Sequence, residues 1–191
     1  MADPSRIARG VFLRGGAAAL LGTAALERPI FVTLRTGGYI LYFRHGPTDH
    51  SQSDVTTDSD DCSKQRNLTE SGRNLERRVG EAIRTLAVPI GAVFADPYCR
   101  TRETAQLLFG RYSVDRALMP GAPNLSTSLR QALAMVPPGR VNTALVLHHN
   151  ELVAIDGPSL DEGEAAVFKP DGSRFQLIAQ IQPDDWLSAV A

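Results

Sequence analysis

The sequence lacks the features that would place it in a specialised class of protein. Its 191 residues include only two cysteines and carry a formal net charge of −1. Two cysteines are too few for a disulfide scaffold, and these two do not have the spacing of a zinc site. The near-neutral charge gives no sign of a nucleic acid or an anionic membrane as partner. With 43% hydrophobic residues and no internal repeat, the chain fits one globular domain.

The first 28 residues differ in composition from the rest. Arg6 and Arg9 precede the stretch VFLRGGAAALLGTAAL, which is apolar except for Arg14 and too short to cross a bilayer comfortably. Such a pattern is typical of an export signal. We therefore expect residues 1–28 to be an export signal or a disordered arm, and 29–191 to be the domain. The mature protein would be periplasmic or secreted without stable membrane insertion, a cytoplasmic location being the alternative.

Strand-like and helix-like stretches alternate along the remaining chain. Apolar runs predict strands at 39–43, 91–95 and 142–149, and the segment from 164 to 178 is typical of a β-hairpin. Helical spacing and stop signals predict helices at 69–88, 100–110, 125–136 and 183–190, and a polar, acidic loop at 49–65. The alternation indicates an α/β fold with a mostly parallel central sheet and a hairpin at one edge.

Cationic and titratable residues follow three of these predicted strands. Arg44 and His45 end the first strand, Arg100 lies just after the second, and His148 and His149 end the third. Ligands of open α/β sheets bind beyond the carboxyl ends of the strands, so the two arginines and up to three histidines are expected to converge on one site if these strands are neighbours.

The chemistry of these residues favours a phosphorylated ligand. Arginine guanidinium groups match phosphate oxygens, and a cationic site that lacks a neighbouring carboxylate requires an anion. Surrounding cations also lower the pKa of a histidine, which leaves His45 neutral and nucleophilic. The residues therefore predict attack of His45 on phosphorus.

Four blocks in this order carry a family resemblance: RHGPT, NLTESGR, DPYCRTRETA and LVLHHN, within residues 39–168. Together they resemble the histidine phosphatase (phosphoglycerate mutase-like) superfamily. The resemblance implies a three-layer α/β/α sandwich, an enzyme that hydrolyses phosphate groups through a covalent phosphohistidine, and no metal or other cofactor.

The resemblance also assigns roles to individual residues. It implies His45 as the nucleophile, and Arg44, Arg100, His149 and Thr48 as ligands of the phosphate. His149 matches the second histidine of the family because an asparagine follows it.

The neighbouring His148 is expected to have a structural role. Adjacent residues of a strand point to opposite faces, so His148 would point away from the site if the strand continued through it. Asp96 stands where the family usually has serine, and it has no role in this scheme.

The usual glutamate proton donor of the family is absent. Residues 106–148 contain no glutamate, and Asp115 is the only acidic residue among them. Asn150 stands where another branch has an aspartate donor, so Asp49 and Glu151 are the remaining candidates, although each is equally well explained as a surface acid. The absence favours substrates with good leaving groups, such as phosphohistidine, or a weak or inactive protein.

The sequence thus predicts a phosphatase that acts on a phosphomonoester or a phosphohistidine. The substrate could be a phosphorylated small molecule, a glycan or a phosphoprotein. The alternatives are an inactive module that binds phosphate or another anionic ligand and, less well supported, a phosphomutase. If the chain is exported, Cys62 and Cys99 are expected to pair and to hold the acidic loop near the pocket; two free buried thiols are the alternative.

Overall fold

The computed structural model describes residues 29–55 and 61–191. The predicted export signal, residues 1–28, lies outside the described residues. Within the described ranges, no helix combines the length and the apolar character needed to cross a bilayer.

The described chain folds as an α/β domain around a six-stranded sheet. The strands are β1 (Ile40–Arg44), β2 (Ile90–Ala95), β3 (Ser113–Val114), β4 (Asn142–Leu147), β5 (Ala165–Pro170) and β6 (Phe175–Ile181). The helices are α1 (Pro29–Leu34), α2 (Glu70–Thr85), α3 (Cys99–Phe109), α4 (Leu125–Ala134), α5 (His149–Val153) and α6 (Pro183–Ser188). Two single turns of 3-10 helix span Cys62–Lys64 and Arg116–Leu118.

The sheet has the order β3-β2-β4-β1-β5-β6. β1 and β2 both pair with β4 in parallel, β3 is parallel to β2, and the hairpin of β5 and β6 adds antiparallel strands at the edge next to β1. The prediction of a mostly parallel sheet with an edge hairpin is confirmed. Because β2, β4 and β1 are neighbours and run the same way, their carboxyl ends meet at one edge of the sheet.

Both faces of the sheet are covered, which makes three layers. Successive residues of β1 point to opposite faces, so Leu41 and Phe43 pack on one side while Ile40 and Tyr42 pack on the other. The first side is covered by α1, α2, α3 and α6, through buried residues that include Phe31, Val79, Ile83, Leu108 and Trp186. The second side is covered by α4, α5 and adjoining loops, through Leu129, Leu133, Leu152, Ile155 and Leu160.

The first turn of helix α2 contacts the segment that follows β1. The hydroxyl of Thr69, the predicted N-cap, accepts a hydrogen bond of 2.9 Å from the N–H of Gly72. A Cβ at Gly72 would lie 2.3 Å from the carbonyl oxygen of Pro47, so only glycine allows this close approach. The start of α2 therefore fixes the loop after β1.

The structure corrects the predicted end of the third strand. β4 ends at Leu147, which pairs with Arg44, the last residue of β1. No neighbouring strand continues beyond this pair, so the chain turns at His148 and begins α5 at His149. Strand β3 and helices α1 and α5 were not predicted, because they are too short to show a periodic pattern.

Candidate active site

A pocket of about 560 Å³ lies at the carboxyl ends of β1, β2 and β4. Its lining includes five of the residues that follow the predicted strands: Arg44, His45, Arg100, His148 and His149. The expected convergence of these side chains is therefore present in the structure. Most of the surface of the pocket is polar, as binding of a hydrophilic anion requires.

His45 is held in one orientation and one tautomer at the base of this pocket. Its side chain is buried, and Nδ1 lies 2.9 Å from the carbonyl oxygen of Gly46. Since a carbonyl only accepts, Nδ1 carries the proton and the lone pair is on Nε2. Burial, together with the nearby His148, Arg100 and Arg44, holds the pKa of His45 well below its usual value. The imidazole is thus neutral and suited to nucleophilic attack.

Gly46 lets the loop that carries His45 pack tightly between two helices. A Cβ at Gly46 would lie 2.7 Å from the side chain of Glu76 on α2, and its N–H donates to the hydroxyl of Thr104 on α3 at 3.0 Å. The position of His45 is therefore fixed by contacts on both sides.

Arg44 is paired with a carboxylate that the sequence analysis missed. Its Nη2 lies 3.6 Å from Glu162, and its Nη1 donates to the carbonyl oxygen of Leu160 at 2.7 Å. Glu162 also accepts hydrogen bonds from the N–H and the hydroxyl of Thr48, at 2.9 and 2.6 Å. The hydroxyl of Thr48, predicted to bind phosphate, is thus engaged by Glu162 in this structure.

Arg100 is paired in the same way with Asp54 of the acidic loop. Its Nη1 lies 2.9 Å from Asp54 Oδ1, and its guanidinium stacks on Tyr98 with 4.5 Å from Cζ to the ring centroid. The expectation of a cationic site without carboxylates is therefore wrong, because Asp54 and Glu162 come from loops outside the strand-end motifs. Only the acidic composition of residues 49–65 gave a signal for Asp54.

The predicted orientation of His148 is also wrong. Its ring lies 5.0 Å from that of His45, and it lines the pocket instead of pointing away from it. The reason is that β4 ends one residue earlier, so the alternation of a strand does not apply to His148. Its Nδ1 lies 2.8 Å from Asp96 Oδ2 and 3.3 Å from Glu151 Oε1.

The carboxylates of Asp96 and Glu151 reverse the effect of burial on the pKa of His148. Burial by itself lowers the pKa of the imidazole, but Asp96 and Glu151 more than offset it, and the pKa is raised. Asp96 is fixed in turn, because its Oδ1 accepts from the N–H of Tyr98 at 2.8 Å and from the hydroxyl of Thr101 at 2.7 Å. The unusual aspartate at position 96 therefore has a physical explanation: it orients His148 and raises the pKa of its imidazole.

His149 lies in the first turn of α5 and lines the same pocket. Its Nδ1 is buried without a hydrogen-bond partner among the described residues. Burial and then the nearby Arg44 lower the pKa of the ring. These features are compatible with the predicted role of His149 as a ligand of the phosphate.

The two candidate proton donors lie in different surroundings. Asp49 is outside the pocket lining, and its carboxylate accepts two hydrogen bonds from Ser51, which lower its pKa. Glu151 is buried against His148. Neither carboxyl group itself lines the pocket.

One group of side chains in the described part of the chain has the composition of a metal site. It consists of Asp96, His148 and Glu151, whose potential ligand atoms lie within 4.8 Å of one another. Ligand atoms around a tetrahedral zinc ion would be about 3.4 Å apart, whereas Asp96 Oδ2 and His148 Nδ1 are 2.8 Å apart. That separation is too short for two ligands of one zinc ion and fits a direct contact between the imidazole and the carboxylate.

The two cysteines are joined as the sequence analysis proposed. A disulfide links Cys62, in the acidic loop, to Cys99 at the start of α3, and leaves no free cysteine. Because Cys99 precedes Arg100, the bridge ties the loop that carries Asp54 to the edge of the pocket.

The chain is similar to known histidine phosphatases in sequence and in fold. Residues 40–121 match the sequence model of the "Histidine phosphatase superfamily (branch 1)", whereas no curated protein matches the chain. Among solved structures, the protein histidine phosphatase SixA complexed with tungstate superimposes with a TM-score of 0.58 at 20% identity, covering 77% of this chain and 98% of the other.

Two further structures are similar over most of their length. The phosphohistidine phosphatase SixA described for Agrobacterium tumefaciens has a TM-score of 0.54 at 17% identity, covering 76% of this chain and 97% of its own. Phosphoglycerate mutase from Bacillus anthracis has a TM-score of 0.53 at 9% identity, covering 82% and 99%. At these identities the likeness concerns the fold, which is that of phosphoglycerate mutase. The sequence match over residues 40–121, together with this fold and the convergent residues, supports the resemblance of the chain to the histidine phosphatase superfamily.

Proposed function

We propose that this protein hydrolyses a phosphomonoester or a phosphohistidine through a covalent phosphohistidine on His45. The observation that carries the proposal is the state of His45: Nδ1 is engaged by the Gly46 carbonyl, and burial and cations keep the imidazole neutral. Its Nε2 lone pair is thereby available beside Arg44 and Arg100, which also line the pocket.

The reaction follows from these positions. Nε2 of His45 attacks phosphorus while Arg44, Arg100 and His149 bind the phosphoryl oxygens, and water then hydrolyses the phosphohistidine. Fixed cations supply most of the stabilisation that phosphoryl transfer needs. We propose that the reaction requires no metal ion.

The polar pocket supports a hydrophilic phosphorylated substrate. One similar structure is named protein histidine phosphatase SixA and holds tungstate, an oxyanion like phosphate, and the Agrobacterium tumefaciens structure also bears the name SixA. A phosphoprotein that carries phosphohistidine is therefore one proposed substrate class; a phosphorylated small molecule or glycan is the other.

One observation favours the alternative of an inactive binding module. Asp54 and Glu162 already pair with the two arginines, so a ligand must compete with carboxylates for them. An inactive module would bind tungstate or phosphate without turnover.

The disulfide supports the proposed export of the chain, since such bonds persist in oxidising compartments. We propose a periplasmic or secreted location. Fusion of residues 1–28 to a reporter that is active only outside the cytoplasm tests this proposal. A reporter that stays inactive, while a known signal activates it, would contradict it.

The test of the function is hydrolysis of p-nitrophenyl phosphate with chelator present, by the wild type and by His45→Ala. The p-nitrophenolate leaving group departs without protonation, so a weak proton donor does not hide the activity of the enzyme. We expect turnover that survives the chelator and is lost in His45→Ala. Arg174→Ala, which alters an exposed arginine in the β5–β6 turn, serves as the control and should retain full activity. Turnover that His45→Ala retains would overturn the mechanism.

A further inference from the structure

Two buried histidines lie side by side in this pocket with opposite electrostatic surroundings. His45 faces cations and a carbonyl, whereas His148 faces the carboxylates of Asp96 and Glu151. Neighbouring titratable groups whose surroundings separate their pKa values in this way are typical of a nucleophile or base paired with an acid.

We propose that His148 is the proton donor to the leaving group, in place of the glutamate that the chain lacks. This inference rests on the proposed phosphatase function. Asp96 and Glu151 are positioning residues in this scheme, because they contact His148 and not the pocket.

The hydrogen bonds of His148 leave only one nitrogen for this role. Nδ1 faces Asp96 and Glu151, at 2.8 and 3.3 Å, and therefore carries a proton directed at the carboxylates. Nε2 is buried and has no hydrogen-bond partner among the described residues. A buried imidazole nitrogen without a partner is costly unless a ligand forms a hydrogen bond with it.

The ring is also fixed in position. It packs edge to face against His45 and against Tyr98, with centroid distances of 5.0 and 5.1 Å. The Tyr42 hydroxyl donates to its backbone carbonyl from β1. A ring held on these sides presents Nε2 in one geometry, as proton transfer requires.

The proton transfers balance over both steps. In the first, the Nε2 lone pair of His45 forms the N–P bond, the bond from phosphorus to the leaving atom breaks, and that atom takes the proton from Nε2 of His148. In the second, the oxygen of water attacks phosphorus while Nε2 of His148 takes a proton from that water. The N–P bond breaks, its electron pair returns to His45, and His148 is again protonated.

The test separates proton donation from phosphate binding. Substituted phenyl phosphates, from p-nitrophenyl to p-methoxyphenyl, have similar shapes but increasingly basic leaving groups. We expect His148→Gln to lower kcat/KM for p-methoxyphenyl phosphate by about 100-fold or more, and for p-nitrophenyl phosphate by less than about 10-fold. The adjacent His149→Gln, which removes a phosphate ligand, should lower both by the same factor.

The pH profile of the wild type provides a second test that needs no variant. The ionisable groups facing His148 are Asp96, Glu151, His149, His45, Tyr98 and Tyr42. As pH rises and His148 loses its proton, kcat/KM for p-methoxyphenyl phosphate should fall while that for p-nitrophenyl phosphate persists. If His148→Gln does not fold, the pH profiles of the wild type alone test whether His148 donates the proton.

The results distinguish a failure of the donor role of His148 from a failure of the proposed phosphatase function. An equal loss for all leaving groups in His148→Gln, or identical pH profiles for both substrates, would overturn the donor role while the phosphatase function stands. A folded wild type that hydrolyses none of these esters would overturn the proposed function, and the donor role with it.

Discussion

At the scale of single residues, the pocket is a set of charges that balance one another. Arg100 pairs with Asp54 and Arg44 lies near Glu162, so these carboxylates partly neutralise the cations that would hold phosphate. The incoming anion must displace or tolerate these carboxylates. On the proposed function, the affinity for phosphate therefore depends on the acidic residues as well as on the arginines.

Replacing Asp54 with asparagine should tighten oxyanion binding. The change removes a negative charge 2.9 Å from Arg100 while keeping the shape of the side chain. Because this pair is partly exposed, we expect a gain of up to about 1 kcal/mol, or roughly five-fold in Kd for tungstate. Calorimetric titration with tungstate measures this change in Kd, and Asp61→Asn in the same loop is the control. Weaker binding by Asp54→Asn would show that Asp54 assists the ligand.

Glu76 is a buried acid that lies against Gly46, next to His45, and outside the pocket lining. Neither carboxyl oxygen has a hydrogen-bond partner among the described residues, and burial raises its pKa from 4.5 to about 8. Unfolding therefore favours its ionised form, so its contribution to stability is greatest below about pH 4.5 and is lost as pH rises towards 8.

Glu76→Gln should stabilise the protein at neutral pH. The neutral amide mimics the protonated acid, so the free energy of unfolding at pH 7 should rise by up to about 3 kcal/mol. Urea denaturation at pH 5 and pH 8 measures this, with the exposed Glu70→Gln on the same helix as the control. If the free energy of unfolding had the same pH dependence in wild type and Glu76→Gln, the raised pKa of Glu76 would be contradicted.

At the scale of elements, the loop between β1 and α2 is fixed at several points. Asp54 binds Arg100, the N–H of Val55 donates to the carbonyl of Lys64 at 2.8 Å, and the disulfide joins Cys62 to α3. The loop is thereby held over the rim of the pocket.

Removing both cysteines should lower stability. The bridge closes a span of 37 residues, which in the chain-entropy account corresponds to about 4 kcal/mol at most. We expect Cys62→Ser combined with Cys99→Ser to lower the free energy of unfolding by up to that amount in urea denaturation. Reductant should destabilise the wild type and leave the double variant unchanged. Equal stability of the two oxidised proteins would contradict a stabilising bridge.

Elements with a strong local signal were predictable from the sequence. The N-cap at Thr69, the apolar run of β1 and the turn between β5 and β6 each depend on residues close in the chain. The end of β4 was not predictable, because it depends on where the partner strand β1 ends. The orientation of His148 followed from that boundary, so it was predicted incorrectly.

At the scale of the whole molecule, the site results from the order of the strands. His45, Arg100 and His149 are far apart in sequence and meet because β1, β4 and β2 are parallel neighbours. This convergence was predictable, since the carboxyl ends of parallel strands form one edge. The contacts of Glu162, Asp54 and Asp96 were not, because they depend on how loops pack across that edge.

The central claim is that His45 carries the phosphoryl group during the reaction. The most direct measurement is mass spectrometry of the protein quenched during turnover of p-nitrophenyl phosphate in alkaline denaturant, where phosphohistidine survives. We predict one added phosphoryl group on the peptide that contains His45, lost on brief acid treatment and absent from His45→Ala. Turnover with no phosphoryl group on His45, or with the group on another residue, would contradict the account.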